Sequence, residues 1–471
     1  MTERPKAESD FLLGNFAPVR DERHDTDLEV WGTLPAELEG VFVRNGPNPQ
    51  FDPLVDYHWF AGDGMLHAVS LAQGQASYRN RYIRTEGFLA ENAEGRALWR
   101  GGLAMPEFDN PFGPGRGNTA NTSLVHHHGK LWALWEAGPP THMALPTLET
   151  LGLDTLGGAL DFQFTAHPKV DPQTGELIFF GYDFIQAPFL RYAEISPEGE
   201  LTHRAEIPLT EGAMIHDFGI TEHFAVIPVF PYNFDFERAM AGENPFAFRA
   251  QNPTRFAVIP RKGTSDSVRW FEAPSCYAFH ILNAYEDGDN IVIEGCRMAK
   301  ISMDFGVDGE ESASHPGRLH RWTLERTTGK VTELPLDDIG SDFPKINERY
   351  TGRKHQFGYC ARVPDPSNKR QLDQLSDAWI KYDLAAGTST THVHGPDTYA
   401  GEGVFVPRAG ATAEDDGWVI GFVHNRATQV SELHVVDAQR FDQPPVARVV
   451  CKRRVPYGFH GTWVPSAAIK A

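Results

Sequence analysis

A short unit that keeps returning constrains this chain most: an apolar strand, a turn built on Gly, Asp or Asn, then a second strand. "GKLWALWEAG" (129–138), "GELIFFGYDF" (175–184), "HFAVIPVF" (223–230), "GDNIVIEGCRM" (288–298) and "DGWVIGFVHN" (416–425) all read this way. Val, Ile, Phe, Tyr and Trp fill the runs and Gly or Pro bounds them, which is the composition of strands. The hairpins "FLRYAEISPEGELTHRAEI" (189–207), "LHRWTLERTTGKVTELPL" (319–336) and "AWIKYDLAAGTSTTHVHG" (378–395) resemble one another. Self-similarity at a spacing of about 45–70 residues predicts an all-β chain of propeller blades, with hairpins arranged radially. Helical signals are sparse, and short helices are expected only in "LPTLETLGLDTLG" (145–157) and "NPFAFRAQN" (244–252). The longer insertions, 233–252 and 303–315, are expected as loops on one face.

A length of 471 residues alone would suggest several domains, but a repetitive β array can run this long as one, so a single domain over 1–471 is expected. Hydrophobic residues at 41% and charged residues at 23% allow a sizeable core. A net charge of −20 repels phosphate backbones and anionic lipid alike, which argues against nucleic acid as a partner. A local apolar patch can still touch a membrane, because that contact needs no positive charge. Cys276, Cys296, Cys360 and Cys451 include no CxxC pair, so buried thiols in a reducing cytosol are expected. The N-terminus lacks a signal-like apolar stretch, and no apolar run approaches the roughly 18–20 residues that span a bilayer. These features predict a soluble, cytoplasmic protein. Propellers close without a partner, so a monomer is expected.

His167 ends an alternating run, "DFQFTAHPKV", just before the turn signal of Asp171–Gly175. A single histidine at a strand end is more often hydrogen-bonded filler than a ligand. His216 in "GAMIHDFGIT", His280 in "SCYAFHILNAY" and His460 in "VPYGFHGTWV" share the setting, each in its own β unit. In a radial fold the innermost strand of each blade ends near the axis, so such side chains can converge. Neutral imidazole suits Fe, Cu, Ni or Zn, and an all-nitrogen site leaves positions for dioxygen or water. On residue chemistry alone, a metal centre and a set of satisfied core histidines both stay open. The run His126–His128 reads as an exposed strand end, His58 and His67 as non-ligands, Asp63 as a turn former, and Arg44 and Asn45 as structural.

"FVRNGPNPQFDPLVDYHWFAGDGMLHAVSL" (42–71), "FPKINERYTGRKHQFGY" (343–359), "YAGEGVFVPR" (399–408) and the terminal "GFHGTWV" resemble, in order, the signatures of the carotenoid cleavage oxygenases. The matches run from Arg44 to Trp463, nearly the whole chain. The resemblance implies a seven-bladed β-propeller under a dome of loops and short helices, and an Fe(II) held by His167, His216, His280 and His460. It implies carboxylates behind three of these imidazoles: Glu136 for His216, Glu348 for His280 and Glu402 for His460. A carboxylate on the distal ring N–H fixes tautomer and orientation. Thr122 matches a position that crowds one open iron site and leaves the other for O2.

The family includes enzymes that cleave carotenoids or apocarotenoids, enzymes that cleave stilbenes, and a retinoid isomerase. Stilbene cleavers hold the phenol with a lysine just before the first of those glutamates and a tyrosine upstream. Here the lysine's place is taken by Trp135, and no tyrosine stands at 101–103. Trp135 and Phe60 suit an apolar, π-rich tunnel instead, so an apolar polyene is the expected substrate. No side chain beyond the metal centre need act as acid, base or nucleophile. Two rivals are a stilbene cleaver with an unusual phenol site and a binding propeller with an inactive or zinc-filled centre. The Phe- and Pro-rich "IPVFPYNF" (227–234) and "NPFAFRA" (244–250) are the expected apolar entrance.

Overall fold

The strand Leu177–Tyr182 is buried along its whole length, as are Gly40–Pro47 and nearly all of Gly417–Asn425. A strand covered on both faces reads as a continuous apolar run rather than an alternating one. The apolar runs of this sequence therefore come from sheets packed between other sheets. The structure, a computed structural model, describes residues 9–54, 57–101, 107, 109–241, 244–301, 303, 316–364 and 375–469. By packing, the chain divides into two compact units: Met1–Asp154 with Asn368–Trp379 and Thr391–Ala471, and Thr155–Ser367 with Ile380–Thr390.

In the first unit a five-stranded sheet runs in the order His24–Asp25, Gln75–Tyr82, Gly64–Ala72, Gly40–Pro47, Gly461–Pro465. The last strand of the chain thus pairs with an early one, Val43 opposite Thr462. Side chains alternate across the sheet. Phe42, Val69 and Tyr78 pack with Trp418, Ile420 and Phe422 of a six-stranded sheet. Val41, Val43 and Leu66 pack with Leu124, Leu131 and Ala133 of a four-stranded sheet. Each buried Val, Leu, Ile or Phe among them is worth roughly 1.5–3 kcal/mol relative to exposure. Arg44 and Asn45 are structural. Arg44 Nη2 donates to Pro456 O at 2.6 Å, and Asn45 Nδ2 donates to Ala120 O at 2.7 Å.

The second unit holds a four-stranded sheet that begins at Lys169–Val170 and another that begins at Gly219–Ile220. They pack through Ile178, Phe180 and Tyr192 against Ile220, Ile227 and Ile259. A seven-stranded sheet follows from Tyr277–Asp287 to Thr388–Val393. It is two four-stranded sheets sharing one long strand. Val331–Lys345 pairs up to Gly340 with Arg318–Glu325, and from Ser341 onward with Phe357–Arg362. Leu282, Cys296 and Leu319 pack with Ile346, Cys360 and Tyr382. Counted so, the described residues hold seven sheets of four strands or more. The three similar hairpins do turn on left-handed glycines, Gly199, Gly329 and Gly387, at φ of 89°, 80° and 65°.

Both expected helices are absent. Residues 145–157 contain the strand Thr150–Leu153 and then a 3-10 turn, Leu156–Gly158. In 244–252 the strand Phe246–Phe248 pairs with Tyr232–Phe234, because Phe-Ala-Phe has a period of two and its partner has the same. The described residues of the insertion 233–252 also include a helix Phe236–Met240, capped by Asp235. The insertion 303–315 lies, apart from Met303, outside the described residues. The longest described helix, Glu86–Glu94, is one the apolar pattern does not announce. Thr85 caps it by accepting from Phe88 N, and Gly95 ends it at φ 68°. All four cysteines are buried and unbridged.

Candidate metal centre

In the second unit, three histidines from three different sheet edges meet. His167 stands just before Lys169–Val170, and its backbone N–H donates to Thr165 Oγ1 at 3.0 Å. His216 precedes Gly219–Ile220, and His280 lies within Tyr277–Asp287. That strand shifts register between Ala278 and Ile281, a bulge that re-aims the His280 side chain. His167 Nε2 lies 3.0 Å from His216 Nε2, which lies 3.3 Å from His280 Nε2. Their rings stand edge to face, with centroids 4.5–5.1 Å apart.

One buried carboxylate ties the three segments together. Asp217, next to His216, takes Lys169 Nζ on Oδ1 at 2.7 Å and the backbone N–H of Ile281 on Oδ2 at 2.8 Å. Lys169 is two residues from His167, and Ile281 follows His280. The His280 ring is held from behind: Nδ1 lies 2.7 Å from Asp342 Oδ1, and Phe343 stacks on the ring at 5.2 Å. An Nδ1–H that donates to a carboxylate leaves the Nε2 lone pair facing the other two imidazoles. Separations of 3.0–3.3 Å suit ligands that each sit about 2.0–2.1 Å from a shared ion. The donor set fits a borderline divalent metal such as iron.

In the first unit, His460 is buried just before Gly461–Pro465. Glu402, also buried, accepts from His460 Nδ1 at 2.9 Å and from Gly461 N at 2.7 Å. His460 N donates to the carbonyl of Thr122, whose hydroxyl donates to Asn121 Oδ1. Phe60 lies on the 3-10 turn Trp59–Ala61, with its ring 5.5 Å from that of Phe459. Trp135 and Glu136, both half-buried, follow the strand Lys130–Leu134.

Sequence reasoning misassigned one carboxylate. Glu348 opens the 3-10 turn Glu348–Tyr350 and is exposed, whereas the group on His280 is Asp342. The motif it was read from, "FPKINERYTG", begins one residue after the aspartate. The residues read as bland have structural partners. Asp63 is buried, accepts Gln50 N at 2.9 Å and pairs with Arg116 at 3.2 Å. His67 Nδ1 lies 2.7 Å from Tyr78 OH. His128 occupies the turn after Ser123–His127, at φ 51°.

These geometries define an all-β protein with a histidine cluster suited to metal. A family model described as retinal pigment epithelial membrane protein matches residues 16–465, and the chain belongs to that family, the carotenoid cleavage oxygenases, which are oxygen-incorporating enzymes. It is 38% identical over 495 residues to a carotenoid 9,10(9',10')-cleavage dioxygenase of Crocus sativus, covering 96% of this chain and 89% of that protein. Among solved structures it resembles a Pseudomonas brassicacearum lignostilbene dioxygenase, with TM-score 0.89, 33% identity, and 98% and 99% of the two chains covered. It also resembles the cobalt-substituted Synechocystis apocarotenoid oxygenase, with TM-score 0.85, 26% identity, and 95% and 97% covered.

Proposed function

We propose that this protein is a non-haem Fe(II) dioxygenase that splits one conjugated C=C bond of a carotenoid or apocarotenoid with O2, giving two carbonyl products. The ligands in this reading are His167, His216, His280 and His460. What carries it is the convergence of three imidazoles, with His216 Nε2 3.0 Å from His167 Nε2 and 3.3 Å from His280 Nε2, a donor set that calls for a cation. Iron bound there would supply the activation of dioxygen. The chain's own groups do the rest. Asp342 and Glu402 each hold a distal imidazole nitrogen, so those rings present their Nε2 lone pairs. Glu136 is assigned the same task for His216. Thr122 narrows the open side of the centre, and Phe60 and Trp135 give the polyene an apolar, water-poor wall. The whole chain works as one monomeric seven-bladed propeller in the cytoplasm, with no role for nucleic acid.

A water-insoluble polyene must be drawn from a membrane or micelle. The runs 227–234 and 244–250 are mostly buried or half-buried, and the apolar side chains that stand out nearby are Phe236 and Met240, 64% and 67% exposed, and Ile185, 70% exposed. We assign the peripheral membrane contact to these.

A second reading, stilbene cleavage, draws on the likeness to the lignostilbene dioxygenase. Against it stands Trp135 where the phenol-binding lysine is expected. The test is product analysis. Fe(II)-loaded protein is given all-trans apocarotenals and hydroxylated stilbenes in parallel under ¹⁸O2. Labelled, shortened polyene carbonyls support the first reading, and labelled benzaldehydes with untouched apocarotenals support the second.

A further inference from the structure

A second histidine cluster lies in the first unit, formed by His392, His394 and His434. Each offers a ring nitrogen, and the three nitrogens lie within 4.8 Å of one another. His392 and His394 stand two apart at the end of the strand Thr388–Val393 and so lean to one side of it. His434 comes from the strand Val430–Asp437 of a different sheet.

The outer nitrogens of two rings are already engaged. His392 Nδ1 lies 2.9 Å from the carbonyl oxygen of Phe441, a group that can only accept, so Nδ1 carries the proton and Nε2 the lone pair. His434 Nε2 lies 3.0 Å from Glu432 Oε2, so His434 Nδ1 keeps its lone pair, turned toward His394 Nδ1 at 3.1 Å. His392 Nε2 and His394 Nε2 are buried without a hydrogen-bond partner among the described residues. Leaving a buried imidazole nitrogen unsatisfied is unfavourable.

The cluster opens onto a cavity of about 430 Å³ that Trp31, Asp442, Pro444 and Arg448 help to line. Arg448 stacks on Trp31 at 4.4 Å and lies 3.6 Å from Glu432. Among the described lining residues Arg448 is the one cation, and it is offset by its pairing with Glu432 and by Asp442 in the same lining, so the local field does not oppose a divalent ion.

We propose that His392, His394 and His434 form a second metal site, for a borderline divalent cation of the Zn2+ kind, with its fourth position open to the cavity. Imidazole is the donor such ions favour, and three protein ligands with one open position is the pattern of zinc sites that bind a further small ligand. The carbonyl on His392 and the carboxylate on His434 play the orienting part that partners of ligating histidines usually play.

The test uses iron-loaded full-length protein, dialysed against Zn2+ and analysed for both metals. Wild type is expected to hold one zinc per chain beyond its iron. His392→Gln and His394→Gln are expected to lose that zinc and keep wild-type iron content. Glu432→Gln, which leaves the ligands in place, should weaken Zn2+ binding about 10- to 100-fold. Because a variant could misfold, X-ray absorption at the zinc edge of the wild type gives an independent reading, with three imidazoles expected. Equal zinc in wild type and both histidine variants would overturn the site. So would four imidazoles around zinc, which would put the ion in the iron's place.

Discussion

His280 Nδ1 and Asp342 Oδ1 lie 2.7 Å apart, and this contact sets how the His280 ring faces His167 and His216. The carboxylate comes from the second half of the long strand Val331–Lys345, so pairing with Phe357–Arg362 fixes its position. Asp342→Asn keeps the shape but replaces a charged acceptor with a neutral one. Iron affinity, followed by chelator competition, should fall about 10- to 100-fold. Glu348→Gln, in an exposed turn, should leave it unchanged. Iron loss in the Glu348 variant and not in the Asp342 variant would reverse the assignment.

Asp217 acts differently, because it touches none of the three rings and binds the chain on which they ride. Asp217→Ala removes the partner of Lys169 and strands the buried backbone N–H of Ile281. An unsatisfied buried donor costs about 1–3 kcal/mol. Unfolding by denaturant should show a loss of at least that size, and iron retention should fall with it. Asp217→Asn retains one acceptor and should fall between alanine and wild type. Full iron retention in the alanine variant would show that the three segments hold their places without the carboxylate.

Protons reach the fold through a buried histidine that stands apart from the proposed ligands. Burial pushes His58 down to about 3, against 6.5 when exposed, and its Nδ1 accepts the N–H of Phe60 at 3.1 Å. Below pH 6.5 the unfolded chain binds a proton that the folded one excludes. The stability from keeping His58 neutral is therefore complete above pH 6.5 and declines as pH falls toward about 3, by about 1.4 kcal/mol per pH unit. His58→Asn can still cap the turn but has nothing to protonate. Its stability should fall less steeply between pH 6.5 and 4.5 than that of the wild type, as read from denaturant midpoints. Parallel slopes would mean that His58 takes up its proton without disturbing the turn.

How much of this was legible in the sequence depended on the range of the interaction. Strands such as Leu177–Tyr182 announce themselves locally, because burial on both faces makes them apolar throughout. The histidines were legible only as a set, since their spacing is long and nothing near any one of them marks it as a ligand. Asp342 was hidden, because a carboxylate one residue outside a motif looks like any polar strand residue until the register is known. His392 and His394 were read only as the tail of a hairpin, and what gives them meaning is His434, some forty residues on. The helix Glu86–Glu94 left its signal in Thr85 and Gly95 rather than in an apolar stripe.

The membrane assignment has its own test, independent of the metal. Phe236 and Met240 project from a short helix joined to the aromatic ribbon of Tyr232–Phe234 and Phe246–Phe248, where Phe184 packs on Phe246 at 4.9 Å. The packed rings hold the ribbon in shape, and the exposed pair is free to enter an apolar layer. Phe236→Ser with Met240→Ser should reduce co-sedimentation with neutral phosphatidylcholine liposomes several-fold. Turnover of a detergent-solubilised polyene should stay near wild type, because neither side chain belongs to the metal centre. With a net charge of −20, the chain gains nothing from anionic lipid, so adding phosphatidylserine should not raise binding. Binding that survives the double substitution, or that rises with anionic lipid, would place the contact elsewhere on the protein.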